Sequence, residues 1–307
     1  MAGATNSTRT ATASAASPPP SPEPPTVARW TSTSTPRKFA WPVGGLFYMH
    51  GKDEETYQRT LTTTTSVNRG VANYSTTSDS YAVFGESTLN FTPTFRGIAG
   101  LRYTHDDLSY DHRRVSTSAT TVSGIQPNTS SHGSVDEDGW SGRLGVQYDL
   151  SDSITSYLTY SRGYKGPAYN VFFNMQPRDT DALKPETSNT WEAGIKATSW
   201  NNRLTTNLAV FHSDYDNYQA NFFDTVAGQV VTRLINAGSV STEGVEADYA
   251  LQATTRLKLS GALAYTRARI DEFSCPPGAA PARCGGQLQR QWQAAAVQPR
   301  LEKLRAR

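Results

Sequence analysis

From Phe39 to Phe273 apolar and polar residues take turns along the chain with a period of two. Leu144, Val146, Tyr148 and Leu150 alternate with Arg143, Gly145, Gln147 and Asp149. Val245, Ala247, Tyr249 and Leu251 alternate with Glu246, Asp248 and Ala250, and Leu257, Leu259, Gly261, Leu263 and Tyr265 form one face of a further segment. A period of two is that of a β-strand with one apolar and one polar face, and no stretch here carries a helical stripe. The pattern predicts nine strands, at 39–49, 79–91, 95–110, 139–150, 153–164, 188–199, 203–222, 230–252 and 256–271.

The connections sort into two kinds. Very short ones, "TPT" at 92–94, "SDS" at 151–153, "WNNR" at 200–203 and "ATTR" at 253–256, alternate with long polar ones at 50–78, 111–138, 165–187 and after 271. A hairpin tip, "TVAGQ" at 225–229, falls on the long-loop side by the same alternation. Short turns on one rim and long loops on the other describe an antiparallel up-and-down transmembrane β-barrel. A soluble sandwich would show Greek-key connections and shorter, more even strands. The strands at 203–222 and 230–252 exceed the ~9–11 residues that cross a bilayer, so they are expected to project beyond it on the long-loop side. Tyr148, Tyr157, Tyr160, Tyr249 and Tyr265 are candidates for aromatic girdles, although tyrosine is also a good strand residue.

Composition agrees with a half-wet wall. Only 36% of the 307 residues are apolar, yet there are fifteen Tyr, eleven Phe and six Trp. No run of about 18 apolar residues occurs, which excludes a membrane-spanning helix and leaves a membrane barrel open. The net charge of +2 does not call for a nucleic-acid partner. Of the first 36 residues, 28 are Ala, Ser, Thr or Pro, so 1–36 is expected to be a disordered low-complexity segment without the apolar stretch of a secretory signal. The other end, 286–307, is a basic tail without strand alternation, with room for a short helix. Cys275 and Cys284 lie in "CPPGAAPARC", a Pro- and Gly-rich loop that suits a local disulfide in an oxidising compartment or two free thiols; zinc is disfavoured, since no second ligand pair is near.

Several motifs together resemble the TonB-dependent outer-membrane receptors. "YLTYSRGYKGPAYN" (157–170) is similar to their strand-to-loop segment, and "LKPETSNTWEAGIK" (183–196) to the loop-to-strand return that follows. "NAGSVSTEGVEADYAL" (236–251) and "RLKLSGALAYTRARIDEF" (256–273) resemble the next strand and its partner, in matching order and spacing. The resemblance covers 37–285, with "FAWPVGGLFYMHGKDEETY" (39–57) fitting more loosely. It implies a Gram-negative outer-membrane protein surrounded by lipid, with a 22-stranded barrel closed by an N-terminal plug. It also implies import of a scarce small-molecule nutrient, such as a ferric siderophore, energised through the TonB complex. That is transport rather than catalysis, with no resident cofactor. A passive porin-like barrel and a soluble carbohydrate-binding β-protein are the alternatives.

The sequence departs from the family at both ends: neither plug nor TonB-contacting segment is recognisable in 1–36, and strand patterning stops after Gly286. Nine strands do not close a barrel, and an open sheet exposes unpaired backbone groups to lipid at several kcal/mol each. The expectation is therefore an incomplete barrel segment from a gene fragment or frameshifted reading, inactive alone.

Candidate chemistry is sparse. His50, His105, His112, His132 and His212 show no paired ligand spacing. "THDDLSYDH" (104–112) offers Asp106, Asp107 and Asp111 as a cation site or as a solvated strand end. No GxSxG, Walker A or Rossmann glycine pattern is present, so no enzyme is expected. Arg143, Glu192, Lys196, Glu246, Asp248 and Lys258 all fall on the polar face of their strands. Facing lipid, the basic ones would cost about 2–4 kcal/mol each near the midplane, so all six are expected to point to the lumen.

Overall fold

The computed structural model describes residues 39–273 and 292–303. Twelve strands run through them: β1 (Phe39–Thr62), β2 (Val67–Asn90), β3 (Phe95–Ser116), β4 (Thr129–Ser151), β5 (Ile154–Lys165), β6 (Glu186–Ser199), β7 (Leu204–Asp216), β8 (Gln219–Val226), β9 (Gln229–Asn236), β10 (Gly238–Thr254), β11 (Leu257–Phe273) and β12 (Trp292–Lys303). Ten of them form one antiparallel sheet in the order β1-β2-β3-β4-β5-β6-β7-β10-β11-β12, and β8 and β9 make a separate hairpin. Every neighbour in the sheet is also the next strand in the chain, apart from the step over that hairpin. This is the expected up-and-down wall. It is not closed, because β1 and β12 pair with nothing on their outer edges among the described residues.

Three expectations about the elements need correction. The long loops expected at 50–78 and 111–138 are mostly strand: β1 and β2 stay paired from Phe39↔Leu89 to Thr62↔Val67, with one register shift between Ala40 and Val43, and β3 and β4 leave only 117–128 between them. Polar strands standing in water lack the apolar alternation that marks a strand in the membrane, so they read as loop. The segments 203–222 and 230–252 are each split in two. Asn217 (φ 52°) and Gly238 (φ 106°) take left-handed backbone at the split and turn the β8–β9 hairpin away from the sheet. Glycine adopts that conformation at little cost, and asparagine more readily than most other residues. Finally, 292–303 is a strand paired with β11 from Leu257↔Lys303 to Ala268↔Trp292, not a helix. An unpaired β11 edge offers backbone donors and acceptors irrespective of side-chain pattern, and Pro299 is tolerable on an edge strand.

The two faces of the sheet differ in chemistry. On one lie Leu46, Val83, Leu101, Leu144, Val146, Leu158, Ile195, Leu208, Val210, Val245 and Leu263, all exposed. Leu101 and Leu144 retain 58% and 61% of their accessible surface, which no water-facing wall of this kind would tolerate in bulk. Aromatic pairs bound this apolar belt. At its upper edge Tyr48 packs tilted against Tyr81, Tyr103 against Trp140 and Tyr160 against Trp191, with centroids 4.7–5.0 Å apart. At its lower edge Phe91 meets Phe95, and Phe95 meets Tyr148. Register places Phe95 opposite Tyr148 and Tyr103 opposite Trp140. The eight intervening steps at about 3.4 Å, tilted by about 40°, give a belt roughly 21 Å high, close to the ~25 Å apolar band of an outer-membrane barrel.

Candidate functional site

The opposite face is polar and internally paired. Arg143 donates through Nε and Nη2 to the Glu86 carboxylate at 2.8 and 2.6 Å. Arg96 holds Asp149 through one nitrogen, Nη2, which donates to both carboxylate oxygens at 2.5 and 2.6 Å. The Tyr157 hydroxyl donates to Glu192 at 2.7 Å, and the Lys196 ammonium sits 5.5 Å from the centre of the Tyr157 ring. That ring lies across Gly194, where an added Cβ would approach it to 2.6 Å, so the small residue is what lets the tyrosine lie flat on the wall. Asn207 donates to Asp248 at 2.8 Å, and Arg102 rests over Phe47, 4.7 Å from its centroid. Cross-strand register puts Arg143, Glu192, Lys196, Glu246, Asp248 and Lys258 all on this one face. For Glu246 and Lys258 the register alone places them.

Above the belt the same face is covered by a cap. Connections 117–128 and 166–185 and the β8–β9 hairpin fold over it. The buried apolar nucleus is Ala72, Ile125 and Phe173, with Tyr57, Leu61, Tyr74 and Val122 packed around it. Arg114 stands at the centre, 4% exposed. Its Nε donates to the Pro127 carbonyl at 2.9 Å, and its Nη1 to the Phe173 and Met175 carbonyls at 2.7 and 3.2 Å. One guanidinium thus satisfies backbone acceptors of two connections. Burial pushes it down to about 10, so it keeps its charge at neutral pH. Beside it His112, buried and stacked on Tyr74, is held below the usual imidazole range by burial and then by the Arg114 charge.

The hairpin is tied to 166–185 by side chains that imitate a β-ladder. Asn170 donates to the Leu234 carbonyl and accepts from its N–H, both at 2.7 Å. Asn236 does the same to Lys184, at 3.0 and 2.9 Å. Beneath them Arg233 pairs with the fully buried Asp179 and with Asp224, which also accepts from Arg178 at 2.7 Å. None of Arg114, Arg233, Asp179, Asn170 or Asn236 stands out in the sequence. Their partners are largely backbone atoms or distant loop residues, and no spacing rule encodes those.

The suggested cation cluster does not assemble. His105, Asp107 and Asp111 point to the apolar-belt side of β3, and Asp106 and His112 to the other. His105 instead pairs with Asp138 at 2.8 Å. No group of three or more metal-ligating side chains occurs among the described residues. Cys275 and Cys284 lie outside the described residues.

An open antiparallel wall with an apolar belt, two aromatic edges, an ion-paired reverse face and long loops on one rim defines part of an outer-membrane β-barrel. Comparison with known proteins narrows this class. The family model described as "TonB dependent receptor-like, beta-barrel" matches residues 3–296, and the chain belongs to that family. Among curated relatives, the ferric-pyoverdine M114 receptor PbuA of Pseudomonas sp. is 28% identical over 130 residues, covering 42% of this chain and 14% of that protein. The catecholate siderophore receptor Fiu of Escherichia coli is 24% identical over 189 residues, 57% of this chain and 25% of that one. The ferric yersiniabactin uptake receptor FyuA of Yersinia pestis has the same fold over 79% of this chain and 34% of its own, with a TM-score of 0.61 and 19% identity. The chain thus spans a quarter or less of the length of these curated relatives. Members of the family are outer-membrane proteins of Gram-negative bacteria, and that is where this chain resides. The relatives are receptors rather than enzymes.

Proposed function

We propose that this chain is a wall segment of a receptor that imports a metal-chelating small molecule, of the ferric siderophore kind, with energy supplied through TonB. The observation that carries this reading is the division of the sheet into an apolar belt about one bilayer high and an ion-paired reverse face that continues upward beneath a packed cap. In this reading Arg143, Glu192, Lys196, Glu246, Asp248 and Lys258 face the lumen, where a plug would lie, and the cap forms part of the external ligand entrance. The names of the relatives support the substrate class, since PbuA and Fiu are siderophore receptors. The edges of β1 and β12, unpaired among the described residues, would each leave backbone N–H and C=O groups in lipid, at several kcal/mol per group. The segment therefore transports only when further strands close the wall.

A cysteine placed at 192 or 196, in outer-membrane vesicles, tests the lumen assignment. Expected is labelling by a water-soluble maleimide and no quenching of the attached dye by nitroxide lipids. Quenching from the lipid phase at either position would sink the assignment. Uptake of radio-iron siderophore by cells carrying the locus is expected to stop when TonB is deleted; persistence would indicate a passive pore.

A further inference from the structure

Where strands β2 to β5 meet, small side chains open a depression of about 630 Å3 in the apolar belt. Gly85, Ala99 and Gly142 leave its floor low, while Leu101, Trp140 and Tyr160 wall it. A second depression of about 460 Å3, reaching Val83 and Tyr103, shares Gly85, Leu101 and Trp140 with it, so the two form one furrow. It runs up to the aromatic edge, where Arg162 closes it.

Arg162 belongs to a motif that recurs around the wall. On the outward face a Tyr-x-His or Tyr-x-Arg pair stands beside an acceptor on the neighbouring strand. Tyr48 donates to Asp79 at 3.0 Å, and His50 lies 2.9 Å from the same carboxylate. Tyr103 donates to Asp138 at 2.6 Å, with His105 2.8 Å away. Arg267, two residues after Tyr265, pairs with Glu243 at 3.1 Å. In the fourth instance Tyr160 donates at 2.7 Å, and Arg162 at 3.3 Å, to Asn189. Three of the four instances match a base with a carboxylate; here a permanent cation meets a neutral amide. Arg162 is exposed, and the side chain it bonds is that neutral Asn189.

We propose that this furrow binds one phosphorylated lipid of the outer leaflet, with an acyl chain in the depression and its phosphate on the Arg162 guanidinium. The long loops put this edge on the external side, the tyrosine and tryptophan rings set it at headgroup depth, and guanidinium matches phosphate in two-point geometry. An uncompensated cation at the top of an apolar furrow complements one anionic headgroup above a hydrocarbon tail. A lipid without a phosphate would leave the charge unmatched.

Native mass spectrometry of the full chain in detergent, titrated with bis-phosphorylated lipid A or with the same lipid stripped of phosphate, tests the site. The wild type should retain one phosphorylated lipid and hold it roughly ten-fold more tightly than the stripped one. Arg162→Gln should lose about five-fold or more of that preference, as expected for removal of a charge-assisted contact. Gly85→Leu should weaken both lipids by filling the furrow. Its new Cβ meets nothing nearer than the Val43 carbonyl oxygen at 3.7 Å, so a side chain can start there without a backbone clash. Arg256→Gln, at the opposite rim, should change nothing. Equal retention of the two lipids by the wild type, or an Arg162→Gln variant indistinguishable from it, overturns the site. So does retention unaffected by Gly85→Leu.

Discussion

Replacing Arg114 with methionine should undock the cap while leaving the wall intact. The guanidinium makes three charge-assisted bonds, to the carbonyls of Pro127, Phe173 and Met175. At about 1.5–3 kcal/mol for each such bond, the gross loss is roughly 4–9 kcal/mol. Against that stands the cost of burying the charge. Burial pulls the group down from its ordinary value to about 10, which corresponds to about 3 kcal/mol that the substitution recovers. Methionine also fills much of the vacated space without a new polar group. The net local loss is then about 3 kcal/mol, or a rise of roughly a hundred-fold in the open fraction of the cap. Hydrogen exchange followed by mass spectrometry on the detergent-solubilised chain reads this directly. Peptides from 117–128 and 166–185 should lose roughly two decades of protection, and those from the belt portions of β3 to β6 should be unchanged. Unaltered exchange in both connections would refute the assignment of Arg114 as the clasp. Equal acceleration throughout the wall would show that cap and wall unfold as one unit.

Three further outcomes follow from the same geometry. Closed, the cap holds His112 below its ordinary value of 6.5, so the open form takes up a proton first as pH falls. Docking should therefore be strongest above pH 6.5 and weaken below it, seen as a smaller protection factor in 166–185 at acid pH once the slower intrinsic exchange there is divided out; His112→Phe should abolish that dependence, and a protection factor that rises at acid pH would contradict it. Asp179→Asn leaves Arg233 buried with one carboxylate fewer, and breaking a buried pair costs about 3–5 kcal/mol, so limited proteolysis should cut near 225–229 much faster than in the wild type. Leu144→Arg, at mid-height of the apolar belt, should cost about 2–4 kcal/mol in urea titrations of the bilayer-inserted protein, whereas Glu86→Gln, whose ion pair is half exposed, should cost about 1 kcal/mol or less.

Much of the wall is legible in the chain itself. In "LKPETSNTWEAGIK" the alternation from Trp191 sends Trp191, Ala193 and Ile195 to one face and Glu192, Gly194 and Lys196 to the other, as the register of β6 with β5 and β7 has them. The period of two is a local property, since each residue's side is set by its immediate neighbours along the strand. Where one face meets lipid, the solvent enforces the alternation and the sequence displays it. Above the belt both faces are wet or packed under loops, so that constraint lapses. Hence β1 and β2 run on through "GKDEETYQRT" and "VNRGVANYSTTSDS", where composition suggested loop. The pairing of 292–303 with β11 was equally unmarked, because an edge supplies backbone partners to whatever segment reaches it.

Alternation along the chain is enough for the architecture: strands, two unlike faces and two unlike rims. How the long connections are used depends on contacts between residues far apart in the chain. Arg114 binds carbonyls 59 and 61 residues away, Asn170 reaches 64 residues to Leu234, and Arg233 finds Asp179 54 residues back. Those contacts join polar side chains to backbone or to single distant charges, so they carry no periodicity. The furrow below Arg162 is likewise a tertiary feature: Gly85, Ala99 and Gly142 are unremarkable along three separate strands, and they become a site only where register aligns them.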